Sequence, residues 1–184
     1  MLQVLIITGS REGHTSKLGQ YIGQRLSEQS EVSVTYLPLK QANSLSHAEL
    51  QLEKYASVVI GASIHYGHFP RELLAFVAKH LAYLSSHPCH FFGVNLTARK
   101  PEKSSPETNA YVRKFLAQSP WQPTSVGVFA GALNYSQLGF FDRTMIRFIM
   151  MLTKGDTDPA TNKVYTDYQD VDKFTLSIAQ SLNK

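Results

Sequence analysis

The chain has 184 residues, of which 43% are hydrophobic and 17% are charged, a balance that predicts one globular domain spanning residues 1–184. The net charge of +4 favours anionic partners but is small for an extended nucleic-acid-binding groove. A single cysteine, Cys89, excludes an intrachain disulfide and a cysteine-built metal or iron–sulfur site. Its apolar neighbours indicate a buried strand residue, and we expect a reducing compartment.

Strand and helix signals alternate along the chain. The N-terminal apolar run has no positive segment before it and leads into a glycine-bearing loop, so it predicts a strand and not a signal peptide. Apolar runs predict strands over residues 2–8, 57–62, 89–95 and 125–131, and alternation predicts a strand over 31–37. Helices are predicted over 15–29, 106–117 and 169–182. A short helix begins at Ser46 with a capping box to Glu49, and another begins at Pro70. The apolar face of that helix comprises Leu73, Leu74, Val77, Leu81 and Leu84.

The strands are apolar on both faces and are separated by helices, which is typical of a parallel sheet covered on both sides. Right-handed crossovers then give an α/β fold, a doubly wound αβα sandwich of three layers. The predicted strand order is 2-1-3-4-5, with a ligand at the switch point between strands one and three. No run of about 18 apolar residues is present, so we expect no membrane-spanning helix.

The loop over residues 8–15, Thr-Gly-Ser-Arg-Glu-Gly-His-Thr, lies between the first strand and the first helix. Its amides, its short hydroxyls and the helix dipole favour an anion, and Gly13 permits a close backbone approach. The sequence has neither G-x-x-x-x-G-K-[ST] nor G-x-G-x-x-G, so triphosphate hydrolysis and the dinucleotide fingerprint are not predicted. A terminal monophosphate such as that of FMN fits this loop. The alternative is an ordinary connection whose hydroxyls cap the helix.

The loops after strands three and four, residues 62–69 and 95–100, open on the same edge of the predicted sheet as the phosphate loop. Tyr66 is placed to stack on a flat ring, and backbone groups of both loops are placed to bond the polar edge of an isoalloxazine. In the alternative, Tyr66 and Phe69 only pack at a rim. The predicted FMN-binding residues are Ser10, Arg11, Glu12, Gly13, His14, Thr15, Ser63, Ile64, His65, Tyr66, Gly67, Asn95, Leu96 and Thr97.

A long insertion, residues 132–166, follows strand five. Helical spacing over 139–152 places Phe141, Met145, Phe148, Ile149 and Leu152 on one side, with Arg143, Arg147 and Lys154 opposite. Such a helix is typical of a peripheral contact with anionic lipid, and its apolar face also suits a large apolar substrate. The alternative is an extra helix packed on the core, with its arginines in solvent.

A basic segment, residues 99–103, follows strand four. A run of this kind is usually a solvated loop. Its position at the ligand edge also suits the carboxylates of a substrate, and Arg99 and Lys100 are the predicted substrate-binding residues.

Several segments together resemble one family, the flavodoxin-like, quinone-dependent protoporphyrinogen IX dehydrogenases of bacterial haem biosynthesis. The resemblance rests on residues 10–15, 60–68, 94–103, 130–135 and 164–167 and on the Asp142-Arg143 helix. It implies FMN, oxidation of protoporphyrinogen IX to protoporphyrin IX, and electron transfer to menaquinone or ubiquinone. It also implies peripheral association with the cytoplasmic face of the bacterial inner membrane. Glu12 replaces the hydroxyl residue usual in flavodoxins, so we expect its carboxylate to point outward.

The chemistry that the resemblance implies belongs mainly to the flavin. Our hypothesis is that a bridging carbon of the porphyrinogen gives hydride to flavin N5, while Arg99, Lys100 or Lys103 pairs with the propionates. We name no catalytic side chain, although His14, His65 and His68 are expected near the flavin edge, and no metal-ligand motif is found. The alternatives are an NAD(P)H:quinone oxidoreductase of the same fold, an electron-carrier flavodoxin, and a nucleic-acid-binding α/β domain.

Overall fold

The computed structural model describes residues 1–183, without the side chain of Gln137. Its centre is a parallel sheet of five strands in the order β2-β1-β3-β4-β5, which confirms the predicted fold class. The strands are β1 (Leu2–Gly9), β2 (Val32–Pro38), β3 (Ser57–Ser63), β4 (His90–Asn95) and β5 (Ser125–Ala130).

Eight helices accompany these strands within the described residues. They are α1 (His14–Gln29), α2 (Leu39–Ser44), α3 (His47–Leu50), α4 (Arg71–Lys79), α5 (Leu81–Ser86), α6 (Ala110–Gln118), α7 (Phe140–Leu152) and α8 (Tyr168–Leu182). The capping box that opens α3 is confirmed, because Ser46 accepts from the Glu49 amide while the Glu49 side chain accepts from the Ser46 amide.

Alternate residues of the strands enter two separate cores, as the period of two requires. Leu5, Ile7 and Phe91 pack with α2, α4, α5 and α6 on one face of the sheet. Val4 and Phe92 pack with α1 and α8 on the other face. Each fully buried side chain of this size contributes about 1.5–3 kcal/mol, so the two cores fix the sheet and thereby its ligand edge.

The predicted helix after Pro70 is divided. Pro70 is the N-cap, α4 ends at Lys79, and α5 begins two residues later at Leu81. The predicted core position Leu74 is wrong, since it is 39% exposed while Phe76 is fully buried. Phe76 lies three residues after Leu73, on the face that meets the sheet.

The helix predicted to begin at residue 106 begins four residues later, at Ala110. Asn109 is its N-cap, and the side-chain oxygen of Asn109 accepts from the Val112 amide at 3.3 Å. The preceding residues form a turn in which the Ser105 and Thr108 side chains bond at 3.0 Å.

The insertion contains α7 and two short strands that the sequence analysis did not predict, β6 (Ala132–Asn134) and β7 (Asn162–Val164), paired antiparallel. Leu133, Tyr135 and Met150 are buried together and hold α7 against this hairpin-like pair. Strands of three residues are too short to show an alternating pattern, so β6 and β7 cannot be recognised from the order of their residues.

The carboxyl ends of β1, β3 and β4 meet at one edge of the sheet, beneath the insertion. The loops that follow these strands form the candidate site. Within residues 1–183, no helix combines the length and the apolar composition that crossing a bilayer requires.

Candidate functional site

A cavity of about 390 Å³, called here the main cavity, lies at this edge. Four parts of the chain provide most of its lining. The β1–α1 segment contributes Ser10, Glu12, His14, Thr15 and Lys17, and the loops after β3 and β4 contribute Ser63, Ile64, His65, Asn95 and Leu96. The insertion contributes Leu133, Leu138, Ile146 and Val164. The three loops predicted to form one site are therefore brought together, and the insertion encloses them.

One end of the main cavity is built for an anion. Gly13 is the N-cap of α1 with φ of 85°, a left-handed conformation that glycine adopts without strain. Among the described residues no side chain caps α1, and its first turn carries no acidic residue. The unpaired amides at its N-terminus and the positive end of its dipole therefore remain available. The Ser10, Glu12, Thr15 and Lys17 positions line the cavity beside this turn.

His14 connects the phosphate loop to the end of the insertion. Its Nε2 lies 2.8 Å from Thr166 Oγ1, and Thr166 donates in turn to the Ala130 carbonyl at 2.6 Å. Because Thr166 uses its hydrogen on Ala130, His14 Nε2 is the donor. Burial, together with the nearby Lys17 charge, lowers the pKa of His14 below its usual 6.5. His14 is therefore a neutral hydrogen-bond donor at neutral pH.

The loop after β3 and its tight turn form another part of the wall of the main cavity. Ser63 Oγ donates to the Gly9 carbonyl at 3.3 Å and so joins the loops after β1 and β3. Tyr66 (φ 48°) and Gly67 (φ 79°) then form a tight turn closed by mutual backbone hydrogen bonds between His65 and His68. The turn holds Ile64 and His65 at the cavity wall.

The loop after β4 is organised by Asn95, which is buried. Its side-chain oxygen accepts from the Ala98 amide at 3.0 Å and from Thr97 Oγ1 at 2.6 Å. Thr97 therefore supports Asn95 and does not line the main cavity, whereas the predicted Asn95 and Leu96 do.

A polar cluster spans the rim of the main cavity, formed by Arg11, His65, Tyr66 and Asp142. Arg11 bonds His65 and lies 3.9 Å from the Asp142 carboxylate, to which the Tyr66 hydroxyl donates. That hydrogen bond to Asp142 raises the pKa of Tyr66. Tyr66 thus lies outside the cavity wall, 53% exposed, and ties the loop after β3 to α7. Its role in stacking on a flat ring stays a prediction.

The two faces of α7 have different surroundings. Arg143 Nε donates to the Tyr135 carbonyl and Arg147 Nε to the Thr157 carbonyl, each at 3.0 Å. On the other side, Phe141 is 83% and Phe148 56% exposed. The apolar side named from the sequence is therefore not packed on the core, whereas α7 itself packs on the protein through Met150, as the alternative expected of an extra helix. The cavity wall comes instead from Leu133, Leu138 and Ile146, residues that the sequence analysis did not single out.

Of the two predicted substrate cations, Arg99 makes three hydrogen bonds within the protein. Its guanidinium donates to the Leu96 carbonyl at 2.8 Å, to Thr153 Oγ1 at 2.9 Å and to the Thr153 carbonyl at 3.2 Å. It therefore joins the loop after β4 to the end of α7. Neither Arg99 nor Lys100 lies among the described residues that line the main cavity.

Cys89 is fully buried, as predicted, and burial raises the pKa of its thiol to about 12, so it is a poor nucleophile.

Residues 1–183 contain no group of three or more histidine, cysteine, aspartate or glutamate side chains arranged to bind a metal ion.

Comparison with known proteins places this arrangement in a family. The flavodoxin domain model matches residues 5–160. A protein of Escherichia coli K12 named protoporphyrinogen IX dehydrogenase [quinone] is 42% identical over 183 residues, covering 100% of this chain and 98% of its own. A Leishmania major protein of the same name is 43% identical over 175 residues, covering 95% of this chain and 74% of its own.

Solved structures agree on the fold. Oxidised flavodoxin 1 of Bacillus cereus superposes with a TM-score of 0.54 at 13% identity, covering 97% of both chains. The flavodiiron core of Flv1 from Synechocystis gives a TM-score of 0.55 at 18% identity, covering 99% of this chain and 36% of that one. The chain belongs to the flavodoxin domain family and, within it, to the family of quinone-dependent protoporphyrinogen IX dehydrogenases.

Proposed function

We propose that this protein is an oxidoreductase of haem biosynthesis that uses FMN to oxidise protoporphyrinogen IX to protoporphyrin IX and passes the electrons to menaquinone or ubiquinone. The observation that carries the proposal is the 42% identity with an E. coli enzyme of that name over the full length of this chain. The aligned region covers the whole chain and so includes the insertion after β5.

The flavodoxin domain implies a flavin, and the residues of the main cavity support FMN. The uncapped N-terminus of α1 and the Gly13 turn suit one phosphate, and the sequence has no second phosphate-binding motif of the dinucleotide type. When bound, FMN would accept hydride from the substrate and return the electrons to a quinone.

The side chains of this protein would bind the cofactor and exclude water from it. Lys17 and the first-turn amides of α1 would balance the phosphate charge, and the backbone of Ile64 and His65 would face the polar edge of the ring. Leu133 and Ile146 place apolar surface over the cavity, which limits access of water to the reacting atoms. No side chain is assigned a proton transfer.

The direct test is anaerobic turnover of protoporphyrinogen IX with a soluble menaquinone analogue, followed by porphyrin fluorescence. Protein stripped of its flavin serves as the control and is reconstituted with FMN or riboflavin. We expect activity to return with FMN and not with riboflavin, because riboflavin lacks the phosphate that α1 would bind. Absence of porphyrin formation by the FMN-loaded protein would contradict the proposal.

We also propose that α7 rests on the anionic, cytoplasmic face of the bacterial inner membrane. Its outward side forms an apolar patch consisting of Phe140, Phe141, Phe148, Ile149, Met151 and Leu152, exposed by 44–83%. Aromatic and aliphatic side chains at this exposure suit the boundary between headgroups and acyl chains, and the net charge of +4 favours anionic lipid. A quinone dissolved in the bilayer would then approach the insertion directly.

Vesicle sedimentation tests the membrane proposal. We expect wild-type protein to bind phosphatidylglycerol-containing vesicles and the double variant Phe141→Ser, Phe148→Ser to remain in the supernatant with its flavin bound. Leu176→Ser is the matched control, since Leu176 is 50% exposed on α8, outside the apolar patch. Equal sedimentation of the double variant and wild type would contradict membrane contact through α7.

A further inference from the structure

A second cavity, of about 480 Å³ and called here the side cavity, adjoins the main cavity at Ile64, which lines both. It lies between the N-terminus of α4 and the exposed side of α6. Phe69 and Phe115 line it with ring centroids 5.6 Å apart in an edge-to-face arrangement, and Leu74 and Tyr111 extend this apolar surface. The proposed FMN site gives this cavity no role.

Two cations stand on opposite walls of the side cavity. Arg71 is the first residue of α4, and Lys114 lies on α6. Among the described residues that line the cavity none is acidic, and within residues 1–183 neither cation forms an ion pair. An apolar floor with two unpaired cations at its edges is complementary to an apolar molecule that carries two carboxylates.

The other basic positions near the site suit such a ligand less well. Arg99 donates to Leu96 and Thr153. Arg11 and Lys40 line a separate cavity on the far side of Pro70, but Arg11 is bonded to His65 and Asp142 and that cavity also contains Glu72. Within the described residues, the side cavity therefore combines an apolar lining that contains no acidic residue with two cations that form no ion pair. The cavities lined by Lys17 and Lys40 also contain a glutamate, Glu12 or Glu72.

We propose that the side cavity is the substrate subsite, in which the porphyrinogen macrocycle lies on Phe69 and Phe115 while Arg71 and Lys114 pair with its two propionates. The inference rests on the proposed function, because it takes protoporphyrinogen IX as the substrate. The contact of the two cavities at Ile64 then places the macrocycle beside the flavin-binding loops.

The test compares ligands with and without carboxylates. Protoporphyrin IX and its dimethyl ester are titrated, in the same detergent, into oxidised FMN-loaded protein, and the dissociation constants are read from porphyrin fluorescence. The variants are Arg71→Gln, Lys114→Gln and the double variant. Arg113→Gln is the matched control, since Arg113 is an exposed cation of α6 that does not line the side cavity.

Exposed ion pairs contribute modestly, so we expect each single variant to weaken diacid binding about threefold and the double variant about tenfold. Binding of the dimethyl ester should be the same in wild type, the variants and the control. Unchanged diacid binding in the double variant would overturn the subsite, as would equal weakening for diacid and ester, which would indicate disturbed packing.

Turnover by the same preparations separates the two proposals. If wild type oxidises protoporphyrinogen IX and the double variant has the same KM, the subsite is refuted while the proposed function stands. If wild type does not oxidise protoporphyrinogen IX, the proposed function fails and this subsite fails with it.

Discussion

Arg99 either binds the substrate, as the sequence predicted, or holds the insertion in place, as the structure shows. The variant Arg99→Gln separates these two roles. In the structure Arg99 is half-buried and makes three hydrogen bonds that join the loop after β4 to the carboxyl end of α7. Loss of a charged donor from such bonds costs about 2 kcal/mol after allowance for its partial exposure. Because these bonds hold only the insertion, the cost falls on local opening and not on the whole fold.

A loss of about 2 kcal/mol raises the population of the opened insertion roughly 30-fold. Limited proteolysis with trypsin under native conditions measures this opening, since Arg143, Arg147 and Lys154 provide cleavage sites within the insertion. We expect faster cleavage there in Arg99→Gln and also in Arg99→Lys, which keeps the charge but not the planar donor set. Lys100→Gln is the control and should be cleaved at the wild-type rate.

The opposite result would restore the substrate role predicted from the sequence. If Arg99→Gln is cleaved like wild type while its KM for protoporphyrinogen IX rises, and Arg99→Lys recovers the wild-type KM, then Arg99 pairs with the substrate. The hydrogen bonds of Arg99 to Leu96 and Thr153 would then contribute nothing measurable to the stability of the insertion.

Three further predictions follow from buried or strained positions. Gly13→Ala places alanine at φ of 85° with free space around its side chain, so its cost is a backbone strain of about 1–2 kcal/mol. We expect this strain to weaken FMN binding in a fluorescence titration, and an unchanged affinity would contradict the anion-binding turn. His90 is fully buried, and burial lowers its pKa to about 4, so the unfolded state gains a proton below pH 6.5 before the folded state does. This difference alone should lower the free energy of unfolding by about 2 kcal/mol from pH 7 to pH 5. Urea denaturation of His90→Asn should show a decrease smaller by that amount, and an identical pH dependence would refute this. Cys89 should resist a thiol reagent at pH 8 until the protein unfolds, because burial raises its pKa to about 12, and rapid modification of the native protein would contradict its burial.

Much of the fold was predictable because local chemistry and global topology agree. The strands are apolar on both faces, as the two cores of the sheet require, and the phosphate loop after strand one implied the observed strand order. Helix boundaries were predicted less well where a cap decides them. Asn109 delays the start of α6 through one hydrogen bond to Val112, a competition that spacing alone does not reveal.

The candidate site was predicted at the level of loops and not of individual side chains. Spacing identified two faces on α7 but not which face meets the protein, because the partners of Arg143 and Arg147 are backbone carbonyls. Backbone acceptors carry no sequence signature. The cations of the side cavity, Arg71 and Lys114, were missed for a related reason, since helices that are distant in sequence bring them together.

The central claim, that a flavin in this protein takes electrons from a porphyrinogen and gives them to a quinone, is tested most directly by anaerobic rapid mixing. The FMN-loaded protein is mixed with protoporphyrinogen IX, with NADPH in a parallel experiment, while flavin absorbance is followed. We predict prompt bleaching by protoporphyrinogen IX, reversed by a menaquinone analogue, and no bleaching by NADPH. Bleaching by NADPH alone would indicate a quinone reductase instead, and bleaching by neither would indicate an electron carrier.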